Sequence, residues 1–248
     1  MIAGSLALVD WNGIRGLLFD KDGTLIDFFE TWMPAYCEAA DRIAADAGVP
    51  EAADRMLEAT GFDRPRGVLV ADSALAGGTN QEIIDVWCGE LGEAAPADMD
   101  ETLLKIFAGH ATGEVAPTVD LPVLCSVLTQ RGYMLGIATN DDAESAAWTA
   151  EHLGITGMMT FVTGADAGHG GKPGPGMGLA FCEAAGIAPH QAAMVGDSAA
   201  DALMAQAAGF GASIGVCTGA ASAAELEPYF DVVLPDIGGL PKLLWGKN

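Results

Sequence analysis

The 248-residue sequence predicts an α/β fold: a parallel sheet covered by helices on both faces, interrupted by an inserted, mainly α-helical domain. Three observations predict it. An apolar run, Ile14 to Phe19, ends abruptly in Asp20 and Asp22 and is broken by Gly23 and Thr24. A short apolar run closed by a turn signal is how a strand buried on both faces reads. From Asp120 onward, helical and strand patterns alternate, the rhythm of a parallel sheet. Between these, from Phe28 to Thr112, the pattern is almost entirely helical and far longer than a parallel crossover needs.

The elements follow in order. Strand one, Arg15 to Phe19, delivers the acid pair. Phe28 to Ala47 reads as a long helix, because Phe29, Trp32, Met33, Tyr36, Ala40, Ile43 and Ala47 recur at helical spacing and Gly48-Val49-Pro50 stops it. A second helix covers Glu51 to Ala59. The loop Gly61 to Gly67 carries Arg64 and Arg66, and Val68 to Ala71 is a short extended segment. Gly77-Gly78-Thr79-Asn80 is a turn into an N-cap, followed by a helix to Leu91. A further helix runs from Asp98 or Met99 to Ala108. His110 to Pro117, with Gly113 and Pro117, is the return hinge, so the domains are 1–27 with 113–248, and 28–112.

The second half reads as helix Leu121–Gln130, strand Tyr133–Ala138, helix Asp142–His152 and strand Met158–Thr163. The loop Gly164 to Pro175 leads to helix Gly176–Ala185 and strand Ala192–Val195. Helix Ala199–Ala208 and strands Ala212–Val216 and Asp231–Leu234 complete the chain. Gly132, Gly154, Gly186 and Gly209 punctuate the helix ends.

Composition bounds the function. Half of the residues are hydrophobic (50%), ample for a buried core. The formal net charge of −23 argues against a nucleic-acid or anionic-membrane partner, since each requires a basic patch. Cys37, Cys88, Cys125, Cys182 and Cys217 are scattered singly, with no Cys-x-x-Cys, so no zinc site is expected and a reducing cytoplasm is. Met1 to Asn12 holds Asp10 and no basic residue, a poor signal peptide. No apolar run reaches the about 18 residues a membrane helix needs. The expected protein is a cytoplasmic monomer or homodimer that acts on a small molecule.

Four distant sites fall at the carboxyl ends of these strands or in the loops beyond: Asp20/Asp22, Thr139-Asn140, Lys172 and Asp197/Asp201. In a parallel sheet those ends share one edge, where ligands gather. Each has a plainer explanation. Asp20 and Asp22 suit a turn and a helix cap, Thr139-Asn140 a cap, Lys172 a solvated loop, and Asp197/Asp201 an N-cap and a first-turn acid. Lys172 is nevertheless the only lysine or arginine between Arg131 and Lys242, in a Gly- and Pro-rich loop. The coincidence of all four at one edge outweighs the separate explanations. Paired acids at such an edge are costly to desolvate unless they bind a cation or do chemistry.

The set and its order resemble the haloacid dehalogenase superfamily. Motif I is Asp20-Lys21-Asp22-Gly23-Thr24-Leu25, motif II Thr139, motif III Lys172 within Lys-Pro-Gly-Pro, and motif IV Gly196-Asp197-Ser198-Ala199-Ala200-Asp201. The resemblance spans the chain and implies a Rossmann-like core, with the insertion similar to the first type of cap, as in phosphoglycolate phosphatases and β-phosphoglucomutases. It also implies a Mg²⁺-dependent phosphatase for a small phosphorylated metabolite, phosphoglycolate first among them. Asp20 would be the nucleophile and Asp22 the general acid/base. Mg²⁺ would be held by the Asp20 side chain, the Asp22 backbone carbonyl and Asp197. Asp201 would orient the metal shell or Lys172. Thr139, with Asn140, would bind the phosphoryl group, and Lys172 would neutralise it. An acid at position 22 disfavours a true dehalogenase, and the absence of lysine from Phe28 to Ala47 disfavours an imine-forming phosphonate hydrolase. A phosphomutase and an inactive binding protein are the alternatives. Arg64 and Arg66 are either selectors of a substrate carboxylate or a solvated pair.

Overall fold

The computed structural model describes residues 9–70, 73–77, 80–111 and 115–246. Its core strands are β1 (Gly16–Phe19), β4 (Met134–Ala138), β5 (Met159–Thr163), β6 (Ala192–Gly196), β7 (Ala212–Val216) and β8 (Val232–Leu234); β2 (Phe62–Asp63) and β3 (Val68–Leu69) lie in the insertion. The core sheet has the order β5-β4-β1-β6-β7-β8, and every pairing is parallel. β1 is central, with Phe19 opposite Ile137 on one side and Val195 on the other.

The side chains of β1 alternate between two buried layers, as the pleat demands. Leu17 and Phe19 join Leu135, Ile137, Val195 and Ile214 under the helices α6 (Leu121–Gln130) and α11 (Leu240–Trp245). Leu18 points the other way, to Met194, Phe181 and Met204, beneath α8 (Gly176–Ala185) and α9 (Ala199–Ala208). A strand covered on both faces has no polar alternation, hence the continuous apolar run.

The insertion contains α1 (Phe28–Asp46), α2 (Ala53–Ala59), the β2–β3 hairpin, α3 (Ala74–Gly77), α4 (Asn80–Leu91) and α5 (Met99–Ala111). It has its own apolar cluster, from Phe28 and Tyr36 through Met56 and Trp87 to Leu103. Trp87 is fully buried, and its indole N–H donates to the Met56 carbonyl at 2.9 Å. The entering and leaving chains pair: Asp27 N–H donates to Ala116 O at 2.8 Å and Thr118 N–H to Leu25 O at 3.0 Å.

The expected elements match these within a residue or two at most ends. The extended segment from Val68 turns out to be half of a hairpin with Phe62 and Asp63. Its end at Ala71 lies outside the described residues, as do Gly78 and Thr79 of the expected turn and most of Met1 to Asn12. The return hinge is shorter than expected, because α5 continues through His110 to Ala111; residues 112–114, with the boundary drawn there, lie outside the described residues. α7 (Ala143–His152) and α10 (Ala223–Leu226) complete the helices described. No described helix is long and apolar enough to cross a membrane.

Candidate active site

Asp20 follows directly from β1, and its N–H still donates to Val195 O on β6 at 2.9 Å. That bond fixes the backbone just where the carboxylate leaves the sheet. Asp197 follows β6 in the same way, so the two acids stand at adjacent strand ends. Asp201 lies in the first turn of α9 and is fully buried. Its Oδ2 accepts hydrogen bonds from Ser198 N–H (3.1 Å) and Ser198 Oγ (2.7 Å), a capping box. The N-cap is therefore Ser198, not Asp197. Asp20, Asp197 and Asp201 can offer oxygens within 4.8 Å of one another.

Lys172 enters from the loop between β5 and α8, with its side chain only 5% exposed. Its ammonium donates to Asp20 Oδ1 and, at 2.7 Å, to Asp201 Oδ1. Asn140, just past β4, fastens this loop: its Oδ1 accepts from Lys172 N–H at 2.7 Å and its Nδ2 donates to Lys172 O at 3.2 Å. Asn140 thus grips the Lys172 backbone. Thr139 is buried at the end of β4, and its Oγ1 accepts from Asp141 N–H at 3.1 Å. The helix that follows is capped instead by Asp142, which accepts from Ser145 N–H at 2.6 Å.

One ammonium faces three carboxylates here. Burial pushes Asp20 up to about 7; Lys172 pulls against that, and Asp201 and Asp22 add to it. Burial, then Asp20 and Asp201, hold Asp197 well above the ordinary carboxylate range. Burial alone would lower Lys172, but Asp20 and Asp201 outweigh it and its pKa is raised. Such a surplus of oxygen-borne negative charge fits a hard divalent cation. The backbone leaves the acids room. Gly23, at φ 77°, and Gly219 both approach the Asp197 carboxylate so closely that a Cβ on either would collide with Oδ2.

Asp22 stands beside this cluster, 25% exposed, within a second set of groups that the motif reading did not assign. Lys21 turns inward, with its side chain 0% exposed. Its ammonium lies 2.9 Å from Asp22 Oδ1, 2.7 Å from Asp22 Oδ2 and 3.2 Å from Asp141 Oδ2. The Trp32 indole N–H donates to Asp22 Oδ1 at 2.5 Å, and its ring lies over the Lys21 ammonium, 5.2 Å to the centroid. Burial opposes the charge on Lys21, but Asp22 and Asp141 outweigh it and raise its pKa. Burial would raise Asp141, yet Lys21 and the hydrogen bonds from Ser145 and Asp142 lower it. Lys21 was visible inside motif I, but a lysine between two acids reads as solvated; only the fold shows it turned inward.

The arginine pair is not brought to this edge. Arg64 is held inside the insertion by Asp41 (2.9 Å), Asp54 (3.3 Å) and the Cys37 carbonyl (3.4 Å). Asp41 lies about 13 Å along α1 from Trp32, at a rise of about 1.5 Å per residue. Arg66 is 81% exposed beside Asp63. Arg64 is engaged by the insertion's own carboxylates, and Arg66 lies at its surface.

A sequence profile of haloacid dehalogenase-like hydrolases matches residues 14–209. A phosphoglycolate phosphatase of Rhodospirillum rubrum is 31% identical over 204 residues, covering 79% of this chain and 76% of that one. That of Vibrio cholerae is 32% identical over 236 residues, covering 92% and 96%. Among solved structures, a protein of Haemophilus somnus assigned by prediction as a phosphoglycolate phosphatase superposes with a TM-score of 0.70 at 20% identity, covering 94% of this chain and 99% of that one. A Thermotoga maritima protein assigned by prediction as a β-phosphoglucomutase reaches the same TM-score, 0.70, at 17% identity, covering 93% and 98%. Those structures show a shared fold.

Proposed function

Because the chain belongs to the haloacid dehalogenase-like hydrolases, we propose that it is a Mg²⁺-dependent phosphatase for a small phosphorylated metabolite, with phosphoglycolate the first substrate to test. The observation that carries this reading is the convergence of Asp20, Asp197, Asp201 and Lys172 at one sheet edge. The choice of phosphoglycolate rests on the relatives' names alone.

In this reading an Asp20 oxygen attacks phosphorus, and the P–O bond to the alcohol breaks. Asp22 gives the departing oxygen its proton. Water then attacks the aspartyl-phosphate, Asp22 takes the water's proton, and the P–O bond to Asp20 breaks. Phosphate leaves and the carboxylate is restored. Lys172 faces both Asp20 and the incoming phosphoryl charge, and the Thr139 hydroxyl stands at the adjacent strand end to donate to a phosphoryl oxygen. Mg²⁺, held by the Asp20 carboxylate, the Asp22 carbonyl and Asp197, would offset the repulsion between anionic nucleophile and anionic substrate. Residues 28–112 act as a cap that shields the reacting groups from bulk water.

The test is phosphate release from a panel of phosphoglycolate, sugar phosphates and nucleotides, with Mg²⁺ or EDTA, beside Asp20→Asn. Metal-dependent release lost in the variant is the expected result. No release from any ester by folded protein would overturn it.

A further inference from the structure

Two donors reach the Asp22 carboxylate among the described residues. Lys21 reaches both of its oxygens, at 2.9 and 2.7 Å, and the Trp32 indole N–H reaches Oδ1 at 2.5 Å. Lys21 in turn is tied to Asp141, from the loop after β4, at 3.2 Å. Trp32 sits on α1 of the insertion and packs on Phe107 of α5, ring centroids 5.8 Å apart. Lys21 and Trp32 thus hold Asp22 directly, and Asp141 holds it through Lys21. A fully buried lysine is expensive unless its partners are fixed, so its neighbours must hold their places.

We propose that Lys21 is a positioning residue for Asp22. Anchored by Asp141 and roofed by Trp32, it holds the Asp22 carboxylate as the oriented acceptor that receives the proton of the attacking water. The inference rests on the role given to Asp22 above. It gives Lys21, Asp141 and Trp32 a part wherever Asp22 moves a proton, and with a leaving group that needs no proton that is the second half of the reaction alone. It also makes the orientation of Asp22 depend on the seating of α1.

p-Nitrophenyl phosphate separates the two halves, because nitrophenolate leaves without needing a proton. Rapid mixing reads the first turnover as a burst and the breakdown of the aspartyl-phosphate as the steady state. Lys21→Met is expected to lower the steady-state rate about tenfold while the burst rate stays within about twofold, since a positioned proton acceptor contributes on the order of 10²–10⁴ and loses part of that when loosened. Trp32→Phe keeps the ring and removes only the N–H, and is expected to show the same pattern at about threefold. Equal slowing of both phases, or no slowing, would overturn the proposal. Lys21→Met strands Asp141; should it not fold, Trp32→Phe carries the kinetic test. A second readout needs no turnover. In metal-free protein, Asp22→Ala is expected to shift the indole ¹H–¹⁵N resonance of Trp32, identified by its loss in Trp32→Phe. An unmoved resonance sinks the clamp. Wild-type protein that hydrolyses no ester strikes the phosphatase reading and leaves the resonance to decide the clamp. Wild-type turnover with parallel losses strikes only the clamp.

Discussion

Two buried lysines, both in the motifs, are each held between two aspartates. Lys172 bridges Asp20 and Asp201; Lys21 bridges Asp22 and Asp141. The difference is the third acid. Asp197 joins the Lys172 group, leaving two negative charges in excess, and both Asp20 and Asp197 are driven upward. No third acid joins the Lys21 group in the ion pairs of the described residues, and Asp141 is driven downward. The same local arrangement therefore does opposite work. One group is left short of positive charge and suits a cation; the other is near balance and suits holding a side chain still.

The sharpest way to break this comparison is at Asp20, the proposed nucleophile. Asp20→Asn should reduce phosphate release at least about a thousandfold, measured by phosphate assay. Lys172→Met should lower kcat about a hundredfold or more, because in the proposed reaction it removes the charge set against the phosphoryl group. Its loss of thermal stability should be larger in EDTA than in Mg²⁺, since three acids then lack any cation; calorimetry in both buffers reads this. Lys21→Met should cost about 3–5 kcal/mol, the usual penalty for breaking a buried pair, with the same loss in either buffer. Equal metal dependence in both lysine variants would erase the distinction. Mg²⁺ itself should raise the stability of the wild type by about 2.7 kcal/mol at a hundredfold excess over Kd, and by little in Asp197→Asn. The smallest effects belong to the insertion's arginines. Arg64→Ala should cost about 1 kcal/mol through its ion pairs, and Arg66→Ala no more than about 0.5 kcal/mol. Neither should change the ratio of KM for phosphoglycolate to that for a neutral phosphate ester.

The core was legible because both faces of its strands are buried. Unbroken runs such as Ile14 to Phe19 and Ala192 to Val195, stopped by acids, are what such a sheet requires. The principal acids and Lys172 were legible for a related reason, since they interrupt apolar or Gly- and Pro-rich surroundings. What stayed hidden depends on direction rather than identity. Lys21 follows Asp20 in sequence, and nothing local shows whether its side chain turns inward. Asp141 carries its meaning only through Lys21. The engagement of Arg64 stayed hidden because Asp41 and Asp54, which hold it, come from other segments of the insertion. The Phe62–Leu69 pairing was hidden because two-residue strands are too short to show a period.

The position of β1 has a further consequence, in time. It is made first, yet it lies in the middle of the sheet, and both neighbours, β4 and β6, are made later. Between β1 and β4 the ribosome delivers the whole insertion, which can gather around its own apolar cluster while β1 waits with both edges unpaired. Asp20 is thus among the earliest residues of the site to emerge and among the last to gain its partners. A nascent chain halted before β6 would carry Asp20 without Asp197 or Asp201. The full acid cluster can assemble only after β6 and the first turn of α9 have been made.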